Sequence, residues 1–139
     1  MKIQIEKVSG TNEQIDALYS LLLQRIYTIS HQKIPAFDDH KHFVLNHPYV
    51  DWFILRNAEK PAGSFYIKYD NSIGLNLVDQ APSYLTTIIE YIRTKLKPQS
   101  AVPSEVPPYF YINIPHSNIE LQKMFEEAKL SPIQISYRL

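Results

Sequence analysis

The feature that most constrains this chain is a pair of successive strand-turn-helix units in its second half. The segment LNLVDQAPSYLTTIIEYIRTK, beginning at Leu75, runs from an apolar strand through a short turn into an amphipathic helix. A strand over Tyr109–Ile114, a Pro-His-Ser-Asn turn in which Ser117 and Glu120 make a capping-box pattern, and a helix carrying Leu121, Met124, Phe125 and Ala128 on one face follow it. A helix between two strands serves as a crossover, so the strands it separates belong to one sheet. The fold class expected is therefore α+β, an α/β mixed sheet carrying helices.

The first half supplies the rest of that sheet. Residues Lys2–Val8 alternate, with Ile3 and Ile5 on one face, and read as a strand. Thr11 and Gln14 form a capping-box pattern ahead of a helix from Asn12 to about Ile29, whose stripe is Ile15, Leu18, Tyr19, Leu22, Ile26 and Ile29. Asp38 or Asp39 is placed to cap a short second helix that carries Phe43 and stops before Pro48. Strands are expected over Asp51–Asn57, Gly63–Tyr69 and Ile73–Val78, the last pair joined by an Asp70-Asn71-Ser72 turn. The third helix runs from Pro82 or Ser83 to Lys97, with Leu85, Ile88, Ile89, Ile92 and Leu96 buried. Residues 98–108 hold four prolines and read as an exposed connector, and Pro132–Arg138 reads as a last strand. The order is β-α-α-β-β-β-α-β-α-β. At 139 residues this is one domain, 1–139, because the roughly thirty residues after the connector could not bury a core alone.

Composition excludes several function classes. Fourteen acidic and fourteen basic residues leave no basic face for nucleic acid. The absence of cysteine rules out disulfides, thiolate metal sites and a cysteine nucleophile. No apolar run has the length of a signal peptide or a membrane span, so a cytoplasmic protein with no membrane partner is expected. His40 and His42 lie two apart on a helix, which points them to different sides, so no metal site is assigned. Asn76 and Asn113 fall inside central strands; each either packs against a helix terminus or faces a ligand.

Across essentially its whole length the chain resembles the GNAT superfamily of N-acetyltransferases. Three phrases carry the resemblance beside the element order. LLLQRIYTISHQKI is similar to the family's N-terminal helix pair, FILRNAEKPAGSFYIKYDNSIGLNL to its central hairpin with a glycine at Gly63, and IPHSNIELQKMFEEAKLSP to its last strand-Asn-helix segment. The resemblance implies acetyl-CoA or CoA as cofactor and acetyl transfer to the amine of a small molecule. It implies backbone contacts to the thioester carbonyl at Asn76, Leu77 and Val78. It places Asn118 where the family's Asn contacts pantetheine or caps the helix.

The departures are chemical. In the family an Arg/Gln-x-x-Gly-x-Gly/Ala loop wraps the pyrophosphate; here the corner is shorter, holds no glycine, and puts Ser83, Tyr84 and Leu85 in its place. Glycine-free backbone restricts close approach, and Pro82 removes one amide donor from the helix start. Phe125 stands where the family often has a proton-donating Tyr, and a phenyl ring donates no proton. Tyr111 is the first candidate to replace it. Two other readings stay open. One is a catalytically inactive GNAT-fold protein acting as a small-ligand binder or interaction module. The other is a homodimer formed through a sheet edge or a tyrosine-rich surface.

Overall fold

The structure, a computed structural model, describes residues 2–25, 33–79 and 81–139. The expected last turn of the first helix, through Ile26 and Ile29, together with His31, lies outside the described residues. The elements are β1 (Ile3–Lys7), α1 (Asn12–Leu23), α2 (Phe37–Leu45), β2 (Asp51–Asn57), β3 (Lys60–Ile67), β4 (Ser72–Leu77), α3 (Pro82–Lys95), β5 (Tyr111–Asn113) and α4 (Ile119–Glu127). They form an α+β fold around one five-stranded mixed sheet of order β1-β2-β3-β4-β5. Neighbours are antiparallel up to β4, and β4 pairs with β5 in parallel.

Period-two alternation divides the sheet into two apolar faces. Phe53, Leu55, Phe65, Ile67 and Ile73 meet Tyr84, Ile88 and Ile92 of α3 on one side. Trp52 and Ile54 meet Ile15, Leu18 and Leu21 of α1 and Val44 of α2 on the other. Leu121 and Met124 bring α4 against Leu85 of α3. Thr11 and Gln14 form the expected capping box. The Gln14 carboxamide reaches further, accepting from the Ser9 and Gly10 amides and donating to Glu6 and the Lys7 carbonyl. The Arg56 guanidinium bonds Glu6 on β1 and Glu13 on α1, fixing the helix start to the sheet.

Three local expectations are corrected. The second helix starts at Phe37 after Ala36, with no side-chain cap from Asp38 or Asp39. Asn118, one residue beyond Ser117, caps α4. No strand forms over 132–138, whose residues are exposed and lie outside the sheet. Among the described residues no helix is long and apolar enough to cross a membrane.

Candidate functional site

β4 and β5 part company halfway along β4. Their register covers Ser72↔Tyr111, Ile73↔Ile112 and Gly74↔Asn113 and then ends. β4 continues beside β3 alone through Leu75, Asn76 and Leu77. β5 cannot follow, because Pro115 carries no amide to extend a ladder. The orientation of the stranded backbone groups follows from its neighbours. The Val78 amide donates to the Ala62 carbonyl at 3.0 Å, and the Ser72 carbonyl accepts from the Lys68 amide at 2.9 Å. Even-numbered residues of β4 thus bond toward β3, and odd-numbered ones toward the β5 side. Beyond Asn113 the Leu75 carbonyl and the Leu77 amide and carbonyl face an opening with no strand beside them among the described residues. Such groups receive an extended, amide-bearing ligand as they would another strand.

The two faces of this opening differ. On the α3 side lie the Leu75 and Leu77 side chains. Leu77 packs over Gly63, where an added Cβ would lie 2.8 Å from Leu77 Cδ2. On the α1 side the Asn76 carboxamide donates to the Leu21 carbonyl at 3.3 Å, satisfying an orphan acceptor in the last turn of α1. Asn76 therefore packs against a helix terminus, one of the two alternatives. Next to it, Gly74 leaves room for a ring: a Cβ there would collide with Cζ and the hydroxyl of Tyr66. Tyr66 stacks on Tyr49 with centroids 4.0 Å apart, and Tyr49 meets Trp52 edge-on at 5.2 Å. Burial raises the Tyr66 pKa and the Arg25 charge opposes it, so the phenol is protonated at neutral pH.

The corner leading into α3 is only partly suited to phosphate. Tyr84 and Leu85 do not fill it. The Tyr84 ring is buried under the sheet, its hydroxyl accepting from Asn57 Nδ2 at 2.9 Å, and Leu85 sits in the α3–α4 seam. Donors are nevertheless scarce. Pro82 has no amide, the Tyr84 amide is bonded to the Ala81 carbonyl at 3.0 Å, and Ala81 provides no side-chain cap. Ser83 is exposed at the helix start, while the Thr87 hydroxyl is turned to the Ser83 carbonyl.

Of the sequence-derived site residues, Asn76, Leu77, Val78 and Ser83 lie along the path from the opening to the helix start. Tyr84 and Leu85 lie on the same path but their side chains belong to the core. Tyr111 lies elsewhere. It pairs with Ser72 at the closed end of β4, about 10 Å along the strand from Leu75. Its hydroxyl is hydrogen-bonded with Asp70 and Ser72, and burial followed by the Asp70 charge raises its pKa. Asn118 caps α4, accepting from the Leu121 amide at 3.2 Å. Phe125 packs beside Leu85 and Leu121. What the sequence reading missed is the Gly74–Tyr66 contact; its signal was an isolated glycine inside a strand pattern. Two cavities lie away from the opening. One of about 290 Å³ is lined by Ile3, Ile5, Thr87, Glu90, Tyr91 and Thr94. The other, of about 440 Å³, lies between the connector and the tail.

No family model matches the sequence, and no curated protein is significantly similar to it. Solved structures are. The Campylobacter jejuni N-acetyltransferase PseH superimposes with a TM-score of 0.63 at 13% identity, covering 96% of this chain and 91% of that one. AAC(6')-Iy, in complex with the bisubstrate analog CoA-S-monomethyl-acetylneamine, gives 0.57 at 13% identity, covering 100% and 99%. The acetyltransferase from Salmonella typhimurium that modifies the N-terminal serine of ribosomal protein L7/L12 gives 0.56 at 12% identity, covering 91% and 79%. In its mixed five-stranded sheet with four helices and in these likenesses, the chain has the fold of the GNAT superfamily of N-acetyltransferases.

Proposed function

We propose that this protein is an acyl-CoA-dependent N-acetyltransferase acting on the primary amine of a small molecule. The observation that carries the reading is the opening beyond Gly74 and Asn113, where the Leu75 carbonyl and Leu77 amide have lost their strand partner. The arm of CoA is a chain of amides, and it fits such a half-ladder. AAC(6')-Iy, which shares the fold, holds a CoA bisubstrate analog. Bound acetyl-CoA supplies an activated thioester, from which an amine takes the acetyl group with release of the CoA thiol.

The residues of this chain have three tasks. The Leu75 carbonyl and Leu77 amide hold and align the arm, which converts a bimolecular encounter into a positioned one. The Leu77 amide is also the donor placed for negative charge that develops on an acyl oxygen. The Tyr66 hydroxyl, over the last paired position of β4, is the proton-bearing side chain offered to the leaving thiolate, a task that Phe125 cannot perform. The pyrophosphate is held less well, because Pro82 and Tyr84 withdraw donors from the start of α3.

That scarcity of donors favours a second reading, a GNAT-fold protein that binds a ligand without transferring an acyl group. Thermal unfolding with acetyl-CoA, CoA and longer acyl-CoAs, followed by thiol release with a panel of primary amines, separates the two. A transferase gains several degrees of Tm at ligand well above Kd and releases thiol with an amine. A ligand binder shows the shift alone. No shift at millimolar acetyl-CoA refutes the transferase reading.

A further inference from the structure

The sheet face turned to α1 and α2 carries polar aromatic tips that the protein leaves unused. Trp52 is 8% exposed, and its Nε1 is buried with no hydrogen-bond partner among the described residues. A deserted buried donor costs free energy, which an acceptor supplied from outside returns. Tyr49 meets Trp52 edge-on and lies flat on Tyr66, while Phe43 and His47 stand around Trp52 with centroids 5.8 and 5.4 Å away. Among the described residues neither the Tyr49 nor the Tyr66 hydroxyl has a hydrogen bond. Burial, with the Tyr66 charge second, raises the Tyr49 pKa, so its phenol, like that of Tyr66, is a donor at neutral pH. His47 Nδ1 accepts from the Tyr49 amide at 3.2 Å, which leaves the proton of the neutral ring on Nε2.

The set is rich in donors and holds no acid. Asp51, whose charge reaches His47, is paired with Lys7 at 2.9 Å. A cation stands at its border. Arg25, just after α1, acts on Tyr66 through its charge and has no carboxylate partner among the described residues. Tyr66 in turn lies against Gly74, at the mouth of the opening beside β4. A solvated guanidinium at a helix end would account for Arg25 alone. It does not account for the aromatic donors left without partners next to it.

We infer that this corner binds a carboxylate carried by the acceptor amine, recognised by Arg25 and by the Tyr49 and Trp52 donors, with the rest of the acceptor against the rings. A single cation suits a singly charged carboxylate better than a phosphate dianion. The inference rests on the acyl-transfer reading and narrows its acceptor to amino acids and related amino carboxylates.

Matched pairs that differ in the carboxylate test it: phenylalanine against phenethylamine, β-alanine against ethylamine, lysine against cadaverine. Calorimetry with the CoA-loaded protein measures binding, and thiol release from acetyl-CoA follows transfer with the same pairs. In at least one pair the carboxylate member binds about tenfold tighter or more. Arg25→Gln and Tyr49→Phe each cut that ratio several-fold, and Arg25→Lys restores part of it. A ratio is read because a loosened fold lowers both members alike. A ratio near one in every pair overturns the inference, as does a ratio that Arg25→Gln and Tyr49→Phe leave unchanged, or no binding of any member at millimolar concentration. Thiol release with carboxylate-free amines in those cases keeps the transferase reading. Carboxylate-dependent binding without thiol release from any pair removes that reading and leaves the carboxylate site standing.

Discussion

Asn71 is the residue whose loss this structure penalises most legibly. It is fully buried in the β3–β4 turn, with φ of 70°. Its Oδ1 accepts from the Gln99 amide at 2.6 Å, and its Nδ2 donates to the carbonyls of Gln99 at 3.1 Å and Pro107 at 2.8 Å. One side chain therefore pins both ends of the proline-rich connector, and the Asn71 carbonyl receives the amide of Tyr111 at the start of β5. Asn71→Ala removes three bonds. Gln99 and Pro107 are half-buried and water reaches them in part, so each lost bond is taken at about 1 kcal/mol, the low end for a deserted polar group. A left-handed backbone adds about 1 kcal/mol for alanine, which tolerates it less well than asparagine. The total is about 4 kcal/mol, or roughly 10–15 °C in Tm for a domain of this size. Asn71→Gly escapes the backbone part and recovers about 1 kcal/mol of it. Asn71→Asp keeps the acceptor but turns a carboxylate toward two carbonyl oxygens. Burial and that repulsion raise its folded pKa above the unfolded one, so its destabilisation is full at neutral pH and is relieved as pH falls through the raised value. Urea titrations of the three variants at neutral and acid pH provide the assay. An alanine variant within about 1 kcal/mol of the parent, at unchanged m, would refute the clamp.

Four further outcomes are expected. Leu77→Pro removes an amide that no strand uses, so it costs little more stability than Leu77→Ala yet abolishes the acetyl-CoA thermal shift that Leu77→Ala retains. Acetyl-pantetheine, which lacks the diphosphate, binds within about tenfold of acetyl-CoA in calorimetry, because the start of α3 has few donors to offer phosphate. Glu59→Gly relieves a non-glycine φ of 71° in the β2–β3 turn and raises the urea midpoint by the equivalent of about 0.5–1 kcal/mol. The Gln14 carboxamide foremost, and also Arg56, hold the Glu6 pKa below its ordinary 4.5. Stability from Glu6 is thus present above that value and lost as pH falls through the depressed one, and Glu6→Gln flattens the acid limb of a urea-midpoint profile.

The sheet was legible because burial on one face leaves a period-two trace. Ile73, Leu75 and Leu77 announced both β4 and the face it turns to α3, and Leu85, Ile88 and Ile92 did the same for the helix. Register between β4 and β5 left no such trace. The alternation of 109–114 is compatible with several parallel offsets, and the offset adopted puts Tyr111 at the closed end and away from the opening. The Asn71 clamp was hidden for a related reason: its partners lie 28 and 36 residues away, and the connector's prolines read as solvent-facing chain. The segment 132–138 has the alternation of a strand, but alternation reports an amphipathic segment and says nothing of an available edge. At α4, Ser117 fitted a capping box with Glu120, yet Asn118 competes as an equally good cap one residue later and wins.

The two halves of the proposed cofactor site separate cleanly in this molecule. The opening is produced by residues remote from any glycine loop. Asn71 and the connector deliver β5 beside the first half of β4, Pro115 ends its ladder, and the Asn76–Leu21 bond holds α1 across the second half. None of these depends on the turn that follows Val78. The corner into α3 depends on that turn wholly, and there Pro82 and the Tyr84–Ala81 bond have taken donors away. On the proposed reading, a glycine-free corner therefore weakens the grip on phosphate and leaves the alignment of an extended arm intact. Affinity and positioning are distinct contributions, and positioning is the one that acyl transfer by direct amine attack requires. On the proposed reading, a chain with a glycine-free corner and an intact strand opening keeps the element on which the reaction turns.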